Sequence, residues 1–211
     1  MAVNLKKGQG INLSKEVKKL NYVTVGLGWS ASTSSRTIDC DSFVYILKEV
    51  TKEEKPRILG KLFGKSEAPK TRLCLADMND IIYYGRLRDR NECIIHHGDD
   101  LIGGAKGDCE QISIDLEHMP ENIKGLVIGI NIYNAYGRNQ NFGKVQNCFG
   151  RIFDNATGKE ICRYDLSDGN YDGYTAVIVG QFLRKDDGWH FEASGEGRKV
   201  GSIQELAGEY M

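Results

Sequence analysis

Apolar and polar residues alternate with a period of two along most of the 211-residue chain, the spacing of strands that bury one face. In NYVTVGLGW, Val23, Val25, Leu27 and Trp29 fall on one side; in DSFVYIL, Phe43, Tyr45 and Leu47 do; in GLVIGINIYNA, Leu126, Ile128, Ile130 and Ile132 do. QISIDL, RIFD, TAVIVGQFL and WHFEASG repeat the pattern, and the turn signals DNATG and KDDG lie between such runs. Short strands at hairpin-like intervals predict an all-β fold, an antiparallel β-sandwich with short peripheral helices. Trp29, Trp189 and Phe191 fall on apolar faces and belong to its core. The best helical signal is the C-terminal GSIQELAGEYM, where Ser202 is placed to cap a short helix lying as a lid on one edge.

One segment breaks the alternation. Residues 48–72, KEVTKEEKPRILGKLFGKSEAPKTR, are lysine-rich and hold two of the three prolines, which predicts a long surface loop between two strands of a single domain spanning 1–211. Within it, Gly64, Lys65 and Ser66 imitate the end of a phosphate loop, but Leu59 stands where the first glycine must be. Ile58, Leu59, Leu62 and Phe63 alternate with lysines, the mark of an amphipathic turn or a solvated loop.

Charge adds a restriction. Lys+Arg 28 against Asp+Glu 29 leaves a net charge of -1, so no global field recruits nucleic acid. The six cysteines form no CxxC pair, and MAVNLKKGQG carries no apolar leader; together they predict a cytoplasmic protein with reduced thiols.

The negative charge is unevenly placed. Residues 96–110, HHGDDLIGGAKGDCE, hold four carboxylates and four glycines between two strand-like runs. Laid on an EF-hand loop, Asp99, Gly104 and Glu110 take positions 1, 6 and 12, but Leu101 and Gly103 occupy positions that must supply side-chain oxygen, and the flanks are strands. The register is not an EF-hand. Asp99, Asp100, Asp108 and Glu110 nevertheless repel one another unless a cation joins them. Earlier in the chain, TIDCDSF places Asp39 and Asp41 on one face of a strand entry, completing a candidate cluster of six carboxylates. Adjacent His96 and His97 point to opposite faces, and Cys93 and Cys109 lack tetrahedral zinc spacing. Magnesium prefers fewer carboxylates and retained water, so Ca²⁺ suits this set best. Cys109, inside an anionic loop, is expected to be a poor nucleophile.

Several ordered motifs then carry a resemblance: VNLKKGQGINL, VGLGW, DCDSF, HHGDDLIGGAKGDCEQISIDL, NQNFGKVQNCFGRIFD, RYDLSDG, TAVIVGQFLR and GWHFEASGEG resemble the TerD family of tellurium-resistance and stress-response proteins. The resemblance implies a β-sandwich that binds Ca²⁺. Carried over, the implied ligands are Asp39, Asp41, Asp99, Asp100, Asp108 and Glu110, with the backbone carbonyls of Leu101 and Gly103. The chain departs where Asp100 replaces the family's amide, Cys109 replaces a carboxylate and Ser30 follows the GW pair, which implies one principal site and weakens a second. Implied partners are calcium ions and other stress-response proteins or a membrane-associated complex. Two alternatives remain open: a C2-like module docking on anionic membrane with Lys55, Lys61, Phe63 and Lys65, and a metal-dependent enzyme acting on a phosphate-containing substrate. No catalytic constellation stands out in the sequence. NQNFGKVQN, flanked by Arg138 and Arg151, and RYDLSDG read as hydrogen-bonded turns.

Overall fold

The computed structural model describes residues 2–16, 22–31, 38–51, 71–98, 107–166 and 170–211. In chain order the elements are β1 (Val3–Leu5), β2 (Gly10–Asn12), α1 (Leu13–Glu16), β3 (Tyr22–Ala31), β4 (Cys40–Thr51), β5 (Thr71–Leu75), β6 (Ile81–Tyr83), β7 (Ile94–His96), β8 (Glu110–Asp115), β9 (Ile123–Ile132), α2 (Ala135–Arg138), β10 (Val145–Asp154), β11 (Glu160–Asp165), β12 (Ala176–Lys185), β13 (Gly188–Arg198) and α3 (Ile203–Ala207). Two sheets stack as a sandwich. One runs β1-β11-β10-β3-β8-β7; the other runs β2-β13-β12-β9-β4-β5, with β6 pairing on β4. All pairings are antiparallel except β1 with β11, which is parallel.

The alternation read from the sequence maps onto this architecture strand by strand. Val23, Val25, Leu27 and Trp29 face Leu126, Ile128, Ile130 and Ile132 across the space between the sheets, all buried. On β4 the faces divide: Cys40, Val44 and Ile46 enter that inter-sheet core, whereas Phe43, Tyr45 and Leu47 join a second cluster with Ile203, Leu206 and Ala207 of α3. Both faces of β4 are therefore buried. Ser202 caps α3 as expected, its Oγ accepting from the Glu205 amide at 3.1 Å. The helix covers the outer face of the second sheet rather than one edge, and the Tyr45 hydroxyl anchors it by donating to the Ile203 carbonyl at 2.6 Å.

The lysine-rich segment is shorter than its composition suggests. β4 continues through Thr51 and β5 begins at Thr71, so Lys48–Thr51 and Thr71–Arg72 are paired strand. Residues 52–70 lie outside the described residues, and with them Lys55, Ile58, Leu59, Lys61, Leu62, Phe63, Gly64, Lys65 and Ser66.

Candidate metal centre

Four of the expected ligands, Asp99, Asp100, Leu101 and Gly103, fall outside the described residues. The other four are placed, and three of them lie around the start of β4 without meeting at one point. Asp39 and Asp41 flank Cys40 at the start of β4; Glu110 begins β8 in the opposite sheet and reaches across to accept the Ser42 amide at 2.8 Å. The buried Cys40 thiol registers all three. Its pKa is driven well up by burial first, then by Cys148, Asp41, Glu110 and Asp39.

Alternation puts Asp41 on the face of Phe43 and Tyr45, and Asn131 of β9 sits directly opposite it in the ladder. Asp39 is held by its surroundings at one oxygen only. Arg138 of α2 donates to Asp39 Oδ2 at 3.1 Å while its guanidinium stacks over Tyr133, whose amide donates to the Asp39 carbonyl at 2.8 Å. Asp39 Oδ1 is buried with no hydrogen-bond partner among the described residues, and so is Asn131 Oδ1. Buried acceptors left this way are costly unless something else satisfies them. Asn131 was not among the residues that the sequence singled out; only strand register places it beside Asp41.

Glu110 is bound more fully. Its carboxylate and the His96 ring are both inaccessible to solvent, with Nε2 at 3.3 Å from Oε2 and at 2.9 Å from Ser42 Oγ. Burial works against the Glu110 charge, but hydrogen bonds from His96 and Ser42 outweigh it and hold its pKa below the usual range. His96 Nδ1 accepts the Gly98 amide at 3.1 Å, which assigns the proton to Nε2. Ser42 and Glu110 thus share one ring nitrogen. A serine–histidine–acid relay needs the acid on the other nitrogen, so this trio is a structural tie between the sheets. His97 turns away, as the sequence implied, and its Nε2 meets Ser113 Oγ at 2.7 Å.

Asp108 is not brought into this group. Its carboxylate lies in the bare strip over Gly26 of β3, where any Cβ would overlap it, and Arg151 grips it with Nε at 2.7 Å and Nη2 at 2.8 Å. Gln111 adds a third donor at 2.9 Å. The pair raises the Arg151 pKa, chiefly through the hydrogen bond to Asp108. Cys109, half-buried, donates its thiol to the Trp29 carbonyl at 3.3 Å. No group of three or more His, Cys, Asp or Glu side chains has metal-binding geometry among the described residues. In NQNFGKVQN, Asn141 Oδ1 accepts the Gly143 amide at 2.8 Å, the turn expected there; Ser167, Asp168 and Gly169 of RYDLSDG lie outside the described residues.

A TerD domain pattern matches residues 1–58 and 71–210. The chain belongs to the TerD family. Among TerD-family relatives, Stress response protein SCP2 of Bacillus subtilis (strain 168) is 34% identical over the whole of both chains. Tellurium resistance protein TerD of Serratia marcescens is 30% identical, covering 100% of this chain and 97% of its own. The crystal structure of a TerD homologue from Streptomyces coelicolor A3(2) superposes with a TM-score of 0.61 at 16% identity, over 89% of this chain and 97% of that one. That likeness establishes the sandwich. The family match omits residues 59–70, inside the lysine-rich segment. No helix among the described residues is long and apolar enough to cross a membrane.

Proposed function

We propose that this TerD-family chain is a cytoplasmic stress-response protein of the tellurium-resistance type that binds Ca²⁺ at one end of its sandwich, acting as a binding or scaffold module rather than an enzyme. The observation that carries the reading is Asp39 Oδ1, a buried carboxylate oxygen with no hydrogen-bond partner among the described residues, two positions from buried Asp41. A hard cation satisfies such an oxygen where no donor does. Among the described residues Asp39 and Asp41 would hold the ion, with Asn131 Oδ1 as a neutral oxygen beside them, and Glu110 would join by giving up its contacts to Ser42 and His96. The side chains of Asp99 and Asp100 and the carbonyls of Leu101 and Gly103 would complete the set. Asp108 joins only by leaving Arg151.

Bound there, Ca²⁺ supplies charge neutralisation and a cross-link. It ties the entry of β4 to the segment 99–110 and adds its binding energy to folding. The geometry at His96 supports a non-enzymatic role, because Ser42 and Glu110 compete for one nitrogen in a site closed to solvent. The names of the relatives support a role in stress response and tellurium resistance; as partners we propose other stress-response proteins or a membrane-associated complex.

Calorimetric titration of Ca²⁺ into EDTA-stripped protein tests this reading. Saturation at 100 times Kd adds about 2.7 kcal/mol of stability, and a chain of this size gains about 2–4 °C in Tm per kcal/mol. The D39N/D41N variant should lose both heat and shift. An equal response in that variant removes the site from β4.

A further inference from the structure

A cleft of about 910 Å³ opens where the edge of the first sheet meets β13 of the second, and the metal reading uses none of it. Its walls come from three separate stretches: NLKK, which runs from β1 into the two lysines after it, the end of β11 from Arg163 with Asn170, Tyr171 and Tyr174 beyond it, and the glycine pair Gly195 and Gly197 on β13. Among the described residues three cations, Lys6, Lys7 and Arg163, line it against a single carboxylate, Asp165. Even with Asp165 paired to one of them, two positive charges remain in a chain whose net charge is -1. Lys7 donates to the Gly195 carbonyl at 3.2 Å and Arg163 stacks over Phe149 at 3.7 Å from the ring centroid; neither contact neutralises charge.

Three tyrosines share the cleft with the cations, and their placement is built into the backbone. Gly195 adopts φ +63, and a Cβ there would strike the Tyr164 hydroxyl. The Tyr171 hydroxyl donates to the Gly195 carbonyl at 3.1 Å, and burial followed by Tyr164 raises its pKa, keeping it a neutral donor. Tyr174 lies flat against Gly197, where a side chain would collide with its ring, and stays half-buried. The volume is that of a site for a small organic molecule rather than a lone inorganic ion. Cations on one wall suit phosphate oxygens, and half-buried tyrosine rings suit a planar or saturated ring.

We infer that this cleft binds a phosphorylated small molecule that carries a ring, with phosphate held by Lys6, Lys7 and Arg163 and the ring against Tyr171 and Tyr174. The site is independent of the acidic end. Its test uses calorimetry in EDTA, with AMP and glucose 6-phosphate as ring-bearing phosphates, inorganic pyrophosphate as a ringless anion and adenosine as an uncharged ring. At least one ring-bearing phosphate should bind about tenfold or more tightly than pyrophosphate, and adenosine should not compete. The K6Q/K7Q variant, altered only at exposed positions, should keep its Tm and lose about tenfold in affinity, the cost of one charge-assisted hydrogen bond. Y174A should weaken the ring-bearing ligand and leave pyrophosphate unchanged. Absence of binding by both ring-bearing phosphates, equal binding of pyrophosphate, or unaltered affinity in K6Q/K7Q overturns the proposal.

Discussion

Arg151→Met isolates the most tightly gripped carboxylate in the acidic region. Asp108 is 2% exposed at its side chain and Arg151 31%, and the two share a two-point contact at 2.7 and 2.8 Å. Methionine keeps most of the packing, removes both donors to Asp108 and the longer contact to Glu160 at 3.2 Å, and leaves Asp108 with Gln111 among the described residues. Breaking a fully buried pair from one side costs about 3–5 kcal/mol. Because Arg151 is partly open to water, solvent would reach the stranded carboxylate, which lowers the expected loss to about 2–3 kcal/mol. At roughly 2–4 °C per kcal/mol the Tm should fall by roughly 4–12 °C, measured by circular dichroism in EDTA at pH 7. Adding Asp108→Asn should return a large part of the loss, since the stranded charge is what costs. Excess Ca²⁺ should raise the Tm of R151M by more than it raises the parent's, because Asp108 is then free to reach the ion. A Tm within 1 °C of the parent, on the order of the assay's own scatter, would refute the pair's contribution. Equal calcium shifts would exclude Asp108 as a ligand.

Other consequences can be measured independently. Ser202→Ala removes the cap on the Glu205 amide and should cost about 1 kcal/mol, or roughly 2–4 °C in Tm; an unchanged Tm would mean that α3 does not need its cap to stay docked. Burial pushes the Cys148 and Cys162 thiols up to about 12 from an ordinary value of 9.0. Their folded pKa lies above the unfolded one, so this stability is complete below pH 9 and is lost as pH rises toward 12. Each thiol contributes a slope of about 1.4 kcal/mol per pH unit in that window. Urea denaturation at pH 8 and 10.5 should show the drop, and C148S/C162S should flatten it; identical slopes in parent and variant would contradict the assignment.

The sheets were legible because both faces of a strand declare themselves in the alternation, and Leu126, Ile128, Ile130 and Ile132 could hardly be arranged otherwise. What alternation does not carry is register between distant strands. Asn131 opposite Asp41 is one case, and the parallel pairing of β1 with β11 is another. The arginine partners of the predicted ligands were hidden for the same reason: Arg138 lies 99 positions from Asp39, and Arg151 lies 43 from Asp108. Both arginines flank NQNFGKVQN, where nothing local signals that each answers a carboxylate. In the sequence, His96 stands out only as a candidate metal ligand beside His97. Its burial against Ser42 and Glu110 follows from the sandwich bringing β7, β8 and the start of β4 together, which local sequence does not encode. Within the lysine-rich segment, composition masked the continuation of β4 to Thr51, because strand pairing with β5 outweighs the poor β propensity of Lys48 and Glu49.

The central claim is that an acidic strand entry and a glycine-rich loop form one calcium site. A crystal structure of the protein grown with saturating Ca²⁺ tests it most directly. One ion is expected at the start of β4 with about six to eight oxygens at about 2.3–2.6 Å, Asp39 and Asp41 among them and Asp39 Oδ1 engaged. An unoccupied β4 entry under those conditions, with Asp39 still held only by Arg138, would contradict it.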